Sequence, residues 1–146
     1  MSTPEDVEVL LVEDNPNDVE LTLQAAGKVL APYKVVVTRD GAEAVDYLLG
    51  RGAYSARDVR KLPVMVLLDI NLPKLNGFEV LKRLREHNKG LDRTLWVVVS
   101  TSMEPKDMQA AKTLGAAKYL RKPANKAESA EFARQLDALL RNAAGL

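Results

Sequence analysis

Five short apolar segments alternate along the chain with five amphipathic ones. This alternation is typical of an α/β domain, in which helices cover both faces of a parallel sheet. Four of the apolar segments are nearly continuous runs of Val and Leu, as expected for strands that are buried on both faces. The predicted strands are residues 7–12, 34–38, 64–68, 95–100 and 117–121. The predicted helices are residues 16–30, 41–49, 76–87, 105–114 and 126–142. Residues 50–63 show little periodicity and carry four basic residues, so we predict an extended surface connection there.

Composition limits the class of protein. A chain of 146 residues with 47% hydrophobic content fits one domain, here residues 1–146 with a core at about 7–140. A formal net charge of +1 disfavours nucleic acid or an anionic membrane as the main partner. The chain has no cysteine, no apolar run long enough to span a membrane and no secretion signal at its first residues. We therefore expect a cytoplasmic protein without disulfides or thiolate metal sites.

Polar residues follow four of the predicted strands at their carboxyl ends. Glu13 and Asp14 follow the first strand, Asp69 the third, Ser100 closes the fourth, and Lys122 follows the fifth. Ligands of doubly wound sheets gather at this edge, where the strand order reverses. An acidic pair after a strand is commonly just a helix cap, so taken alone it is weak evidence for a site. The coincidence of all four segments favours a functional site.

The residue types indicate phosphoryl chemistry that depends on a metal ion. Three carboxylates cannot all ionise close together without a cation, and oxygen ligands without His or Cys favour a hard ion such as Mg²⁺. We expect Asp69 and Asp14 to be direct ligands and Glu13 to act through water. Asp69 then attacks a phosphoryl group to form an aspartyl phosphate. Lys122 supplies a positive charge, and the Ser100 hydroxyl donates to a phosphoryl oxygen.

The chain resembles the receiver domain of two-component response regulators from residue 7 to about residue 140. The resemblance is carried by four stretches, which are Val9-Leu10-Leu11-Val12-Glu13-Asp14-Asn15, Leu67-Leu68-Asp69-Ile70-Asn71-Leu72-Pro73-Lys74-Leu75-Asn76-Gly77, Val98-Val99-Ser100-Thr101 and Gly115-Ala116-Ala117-Lys118-Tyr119-Leu120-Arg121-Lys122-Pro123. It implies a flavodoxin-like fold with strand order 2-1-3-4-5, and phosphorelay signal transduction.

The resemblance also implies a role for individual residues. Asp69 takes the phosphoacceptor position, and Asn71 the position that lends a backbone carbonyl to Mg²⁺. Ser100 takes the hydroxyl switch position, where Thr is commoner, and Tyr119 the aromatic switch position. Lys122 takes the position of the family's lysine, and the peptide bond before the following Pro123 is usually cis in the family.

A narrower resemblance is to the small stand-alone regulators that are paired with phytochrome histidine kinases. It is carried by Asn15-Pro16-Asn17-Asp18, the long connection before the third strand, Asn71-Leu72-Pro73 and Ser100-Thr101-Ser102. The chain departs from that pattern at Leu95-Trp96, where a Pro before the Val run is usual. The implied partner is a histidine kinase, in particular a bacteriophytochrome.

Two other classes of protein share part of this pattern. A flavodoxin-like cofactor carrier has the same strand order, but it requires a loop of Ser, Thr or Gly after the first strand, where Glu13 and Asp14 would repel a phosphate. A magnesium-dependent phosphatase also forms an aspartyl phosphate. It requires a second Asp as general acid two residues further on, and that position is Asn71.

The expected output is a protein contact, since four residues remain after the last predicted helix. Phosphorylation would draw Ser100 toward the phosphoryl group and let Tyr119 move into the space that it vacates. This change would alter the face formed by the fourth helix, the fifth strand and the fifth helix. We predict a homodimer through that face, near Leu114, Ala117 and Tyr119. The alternative is that the face is reserved for the kinase or a target.

Overall fold

The computed structural model of the protein describes residues 7–87 and 93–143. Its centre is a five-stranded parallel sheet with the order β2-β1-β3-β4-β5, as predicted. The strands are β1 (Glu8–Val12), β2 (Lys34–Thr38), β3 (Met65–Leu68), β4 (Leu95–Ser100) and β5 (Lys118–Arg121). Each of β1, β3 and β4 lies between two other strands, whereas β2 and β5 form the two edges.

Helices pack on both faces of the sheet. They are α1 (Pro16–Ala25), α2 (Gly27–Leu30), α3 (Gly41–Leu49), α4 (Gly77–His87), α5 (Pro105–Thr113) and α6 (Lys126–Ala143). The side chains of alternate strand residues enter two separate apolar clusters. The first joins the sheet to α3, α4 and α5, and it contains Trp96. The second joins the sheet to α1, α2 and α6, with Phe132, Leu136 and Leu140 from α6. Within the described ranges, no helix is both long and apolar enough to cross a membrane.

The first predicted helix is interrupted. The prediction of one helix over residues 16–30 is wrong, because α1 ends at Ala25 and the short α2 begins at Gly27. Between them Ala26 is fully buried and has φ −104° and ψ 12°, outside the helical range. Gly27 lowers the helix propensity at the point where the chain turns inward. The break leaves α1 short, with its first turn above the carboxyl end of the sheet.

The connection between α3 and β3 lies mostly at the surface, as predicted, but the prediction that residues 50–63 are extended is wrong, because the segment folds against α3. It contains a 3₁₀ helix, Gly52–Tyr54. The Tyr54 ring meets the Tyr47 ring edge to face at 5.0 Å, and its hydroxyl donates to Glu43 at 2.8 Å. The Arg57 guanidinium lies over the Tyr47 ring at 4.1 Å from the ring centre. These aromatic and cation–π contacts join residues that share no sequence periodicity, so the pattern did not predict them.

Candidate functional site

The carboxyl edge of the sheet brings together the four predicted segments. Glu13 and Asp69 immediately follow β1 and β3, and their exposed fractions are only 2% and 5%. Ser100 is the last residue of β4 and is fully buried. The backbone N–H of Lys122 donates to the carbonyl of Ser100 at 2.9 Å, which continues the pairing of β5 with β4. Asp14, in contrast, is exposed at the surface.

The Lys122 ammonium is the centre of the site. Its Nζ lies 2.7 Å from Glu13 Oε1, 2.9 Å from Asp18 Oδ2 and 3.0 Å from Asp69 Oδ2. The side chains of Glu13 and Asp69 are 3% and 6% exposed, so little water screens these two charges. Isolated buried carboxylates would carry a large desolvation cost. Lys122 therefore offsets the charge that the ends of β1 and β3 place in the interior.

Both oxygens of Asp69 have partners. Oδ2 accepts from Lys122, and Oδ1 accepts from the backbone N–H of Asn71 at 3.1 Å. The second contact is local, two residues along the chain, so the loop after β3 fixes the rotation of the carboxylate. Gly77 allows this loop to lie close to α4, since a Cβ there would be 2.5 Å from the carbonyl oxygen of Asp69. The carboxylate is thereby presented in one orientation.

Asp14 completes an acidic group that fits a metal ion. One oxygen each from Glu13, Asp14 and Asp69 lie within 4.8 Å of one another. Glu13 Oε2 is buried and has no hydrogen-bond partner among the described residues. An unpartnered buried carboxylate oxygen beside two other carboxylates is the donor set that a hard divalent cation prefers. The residues present therefore fit Mg²⁺ or a similar ion.

The electrostatics of the site follow from burial and from this shared lysine. Burial, together with the nearby Asp69 carboxylate, raises the pKa of Glu13 to about 8, although Lys122 opposes the shift. Burial also pushes the pKa of Lys122 down, but hydrogen bonds to Glu13, Asp18 and Asp69 outweigh it and leave the pKa above its usual value. The ammonium lowers the pKa of Asp18. Lys122 therefore stays protonated, but its single positive charge does not balance the carboxylates around it.

Sequence reasoning gave Asp18 no role in the site. It lies in the first turn of α1, and its carboxylate reaches Lys122 across 104 positions of the chain. Asn15 caps this helix, with Oδ1 accepting from the backbone N–H of Asn17 at 2.9 Å and of Asp18 at 3.4 Å. The cap and Pro16 at the first helical position were the available signal, because they fix which face of the first turn looks toward the sheet edge.

Ser100 and Tyr119 are joined through the loop after β4. The backbone N–H of Ser102 donates to Ser100 Oγ at 3.1 Å, and the carbonyl of Ser102 accepts from the Tyr119 hydroxyl at 2.7 Å. The Ser102 hydroxyl itself donates to Asp107 in α5 at 2.6 Å. The Tyr119 side chain is half-buried against the apolar cluster under α5. A movement of Ser100 would therefore act on a residue that also holds Tyr119 and α5.

The peptide bond before Pro123 differs from the expectation. No cis peptide bond occurs among residues 7–87 and 93–143, so the bond between Lys122 and Pro123 is trans. The trans form is the lower-energy one for a bond to proline.

Comparisons with known proteins agree with this architecture. The model of the response regulator receiver domain family matches residues 9–134. Response regulator Rcp1 of Synechocystis sp. is 35% identical over 117 residues, which are 80% of this chain and 77% of Rcp1. The Mn²⁺-bound form of Rcp1 superimposes with a TM-score of 0.75 and 30% identity, covering 92% of each chain.

Two further solved structures are response regulators associated with phytochromes. The phosphorylated cyanobacterial phytochrome response regulator RcpA has a TM-score of 0.76 and 33% identity, covering 92% of this chain and 91% of RcpA. The bacteriophytochrome response regulator AtBRR has a TM-score of 0.73 and 38% identity, covering 91% of this chain and 93% of its own. The chain therefore belongs to the response regulator receiver domain family, and its relatives include phytochrome response regulators.

Proposed function

We propose that the protein accepts a phosphoryl group on Asp69 from a histidine kinase, in a reaction that requires Mg²⁺. The observation that carries the proposal is the buried Asp69 carboxylate, held between Lys122 and the backbone N–H of Asn71 and close to Glu13 and Asp14. The protein would then be a signalling component whose chemistry is limited to gaining and losing this group. The exchange would take place in the cytoplasm, and the signalling unit would be this single domain.

The proposed reaction is a direct transfer. One oxygen of Asp69 attacks the phosphorus of the kinase phosphohistidine, an O–P bond forms, and the N–P bond to the imidazole breaks. The electron pair of that bond stays on the imidazole nitrogen, which takes a proton from solvent. The product is an acyl phosphate on Asp69. Asn71 holds one carboxylate oxygen by a hydrogen bond, which limits rotation of the nucleophile.

The charged and hydroxyl groups around Asp69 would act on the phosphoryl oxygens. Mg²⁺, when bound by Glu13, Asp14, Asp69 and the Asn71 carbonyl, would supply positive charge against the phosphoryl group. Lys122 already donates a hydrogen bond to Asp69, and it would redirect one N–H donor to a phosphoryl oxygen. Ser100 would turn its hydroxyl from the backbone N–H of Ser102 toward a second oxygen. Ser100 and Tyr119 would then report the modified state to α5.

Three of the relatives support parts of this proposal. RcpA was solved in a phosphorylated form, and Rcp1 with Mn²⁺ bound. Both RcpA and AtBRR are named as phytochrome response regulators, which supports a bacteriophytochrome as the kinase partner here.

The best direct test is phosphoryl transfer from a labelled histidine kinase to the protein, with and without Mg²⁺. The proposal would be contradicted if the protein accepted phosphate neither from any candidate kinase nor from a small phosphodonor such as acetyl phosphate.

The phosphatase alternative has a weaker basis in the site. Asn71, two residues after Asp69, is exposed, and its amide cannot protonate a leaving group. We therefore expect phosphate to accumulate on the protein when it is incubated with acetyl phosphate and Mg²⁺. Continuous release at many turnovers per minute would favour a phosphatase.

Asp14→Ala is expected to reduce Mg²⁺ affinity by roughly tenfold or more, since it removes a carboxylate from the acidic group. Without metal, the variant should be slightly more stable, by about 0.5 kcal/mol, because one repelling charge is lost and its exposure limits the effect. Calorimetric titration and urea unfolding measure the two effects. Glu20→Ala, which removes an exposed charge from α1, is the control, and an affinity equal to that of the control would refute the metal assignment.

The proposed output surface is formed by α5, β5 and α6, which correspond to the predicted fourth helix, fifth strand and fifth helix. Between α5 and β5 lies an open groove that includes Met108, Ala117, Lys118 and Tyr119. Met108 is 37% exposed, whereas Leu114 packs against the apolar cluster. We propose that a homodimer forms through this surface, and the alternative is that a kinase or target binds there.

Met108→Asp combined with Ala117→Asp is expected to make the protein monomeric, since both changes place a charge in the groove without altering the core. Sedimentation over a range of concentrations, with and without beryllofluoride and Mg²⁺, measures the effect. An interface below about 1,200 Å² would dissociate on dilution. Lys82→Asp, an exposed position of α4 outside the groove, is the control for added charge. A wild-type protein that is monomeric under all these conditions would exclude the dimer.

A further inference from the structure

The Lys122 ammonium has no free N–H bond in the described structure. An ammonium has three N–H donors, and Nζ contacts three carboxylates at 2.7 Å, 2.9 Å and 3.0 Å. Lys122 must therefore give up or redirect one of these contacts before it can donate to a phosphoryl group. The more strongly these contacts stabilise the ammonium in the resting state, the less favourable its interaction with a phosphoryl group becomes.

The three carboxylates differ in how easily Lys122 can leave them. Asp69 is itself the acceptor, and Glu13 has a buried second oxygen within the acidic group. Asp18 lies outside that group, and its side chain is 32% exposed, against 3% for Glu13 and 6% for Asp69. Water can replace the ammonium at Asp18 at a lower cost than at the other two carboxylates. Asp18 is therefore the partner that Lys122 can leave most easily.

We propose that Asp18 is a positioning residue that holds Lys122 toward α1 in the resting state and so weakens capture of the phosphoryl group. The proposal rests on the function proposed for Asp69. The capped first turn of α1 keeps Asp18 fixed, so its pull on Lys122 always points toward α1. The carboxylates of Asp18 and Asp69 contact the same Nζ, so the negative charge of Asp18 also lies near the place where a phosphoryl dianion would arrive. The pull on Lys122 and this repulsion both weaken binding of the phosphoryl group.

The test compares the affinity of wild type and Asp18→Asn for beryllofluoride, a mimic of the phosphoryl group, at saturating Mg²⁺. The amide has the same shape but lacks the charge, so Lys122 is released more easily. We expect Asp18→Asn to bind beryllofluoride roughly fivefold more tightly, as suits the loss of one partly exposed ion pair. Glu20→Gln removes a charge from the same helix without touching Lys122 and should leave the affinity within about twofold. Equal affinities in wild type and Asp18→Asn would overturn the inference.

A second measurement separates an action through Lys122 from general electrostatics. With Mg²⁺ alone, Asp18→Asn should lower the metal affinity more than Glu20→Gln does, because the released ammonium moves onto Glu13 and Asp69. In a Lys122→Gln background, Asp18→Asn should lose most of its effect on beryllofluoride affinity, since only the direct repulsion between the Asp18 charge and the phosphoryl mimic remains. An effect of Asp18→Asn that persists there in full would overturn the positioning role. Failure of wild type to bind beryllofluoride, with normal Mg²⁺ binding, would instead contradict the function proposed for Asp69.

Discussion

Asp69→Asn is expected to accept no phosphoryl group above background from a kinase or from acetyl phosphate, while it keeps the fold. The amide nitrogen cannot attack phosphorus, whereas the amide oxygen can still accept from the backbone N–H of Asn71. Incorporation of labelled phosphate measures the loss, and circular dichroism with urea unfolding measures the fold. We expect a change in the free energy of unfolding of no more than about 1 kcal/mol.

Asp40→Asn is the matched control for this experiment. Asp40 lies shortly after β2 and caps α3, with its carboxylate accepting from the backbone N–H of Glu43 at 2.7 Å, a role that Asn also fills. The control should take up phosphate like wild type. Wild-type labelling of Asp69→Asn would show that another residue is the acceptor.

Lys122→Met is expected to have the largest effect on stability. It leaves the buried carboxylates of Glu13 and Asp69 without their cation, and breaking a buried ion pair from one side costs roughly 3 kcal/mol or more. The variant should therefore unfold at a much lower urea concentration than wild type in the absence of Mg²⁺. Phosphoryl transfer to it should also be strongly slowed, because a charge that faces the phosphoryl oxygens is lost.

Magnesium provides the internal check on this result. Binding to the folded state stabilises it by mass action, and in the variant the ion would also relieve the uncompensated charge. We therefore expect Mg²⁺ to stabilise Lys122→Met more than it stabilises wild type. Lys118→Met changes an exposed lysine of the same strand and should be nearly neutral. A Lys122→Met protein as stable as this control would show that the carboxylates do not depend on the lysine.

Most of the fold could be predicted because its signals are local. The strands Lys34–Thr38 and Leu95–Ser100 and the helix Gly41–Leu49 have the predicted bounds, since apolar runs and caps mark their ends. The strand order is also confirmed. The break at Ala26 was missed because tertiary burial, rather than propensity, decides the conformation there. The packing of residues 50–63 was missed because it depends on Tyr47, Tyr54 and Arg57 meeting in space.

The candidate site divides in the same way. Glu13, Asp69, Ser100 and Lys122 were predicted because parallel strands end at one edge, and the structure brings them together there. The roles assigned to these residues stay predictions. Asp18 was missed, because the cap at Asn15 and Pro16 indicate only which face of the first turn of α1 lies toward the sheet edge, and not how far the lysine reaches. Contacts between a helix and a strand end require the packed fold, which no periodicity in the sequence encodes.

The position of β1 and β5 in the sheet has a consequence for motion at the site. β1, which supports Glu13, is hydrogen-bonded to strands on both sides, whereas β5, which supports Lys122, is a four-residue strand bonded to β4 alone. Local opening reaches the edge of a sheet at a lower free energy than its centre, so amide hydrogens of β5 should exchange with solvent sooner than those of β1. Glu13 thus lies at the end of a central strand that opens rarely, whereas Lys122 follows the edge strand that opens at the lower free energy.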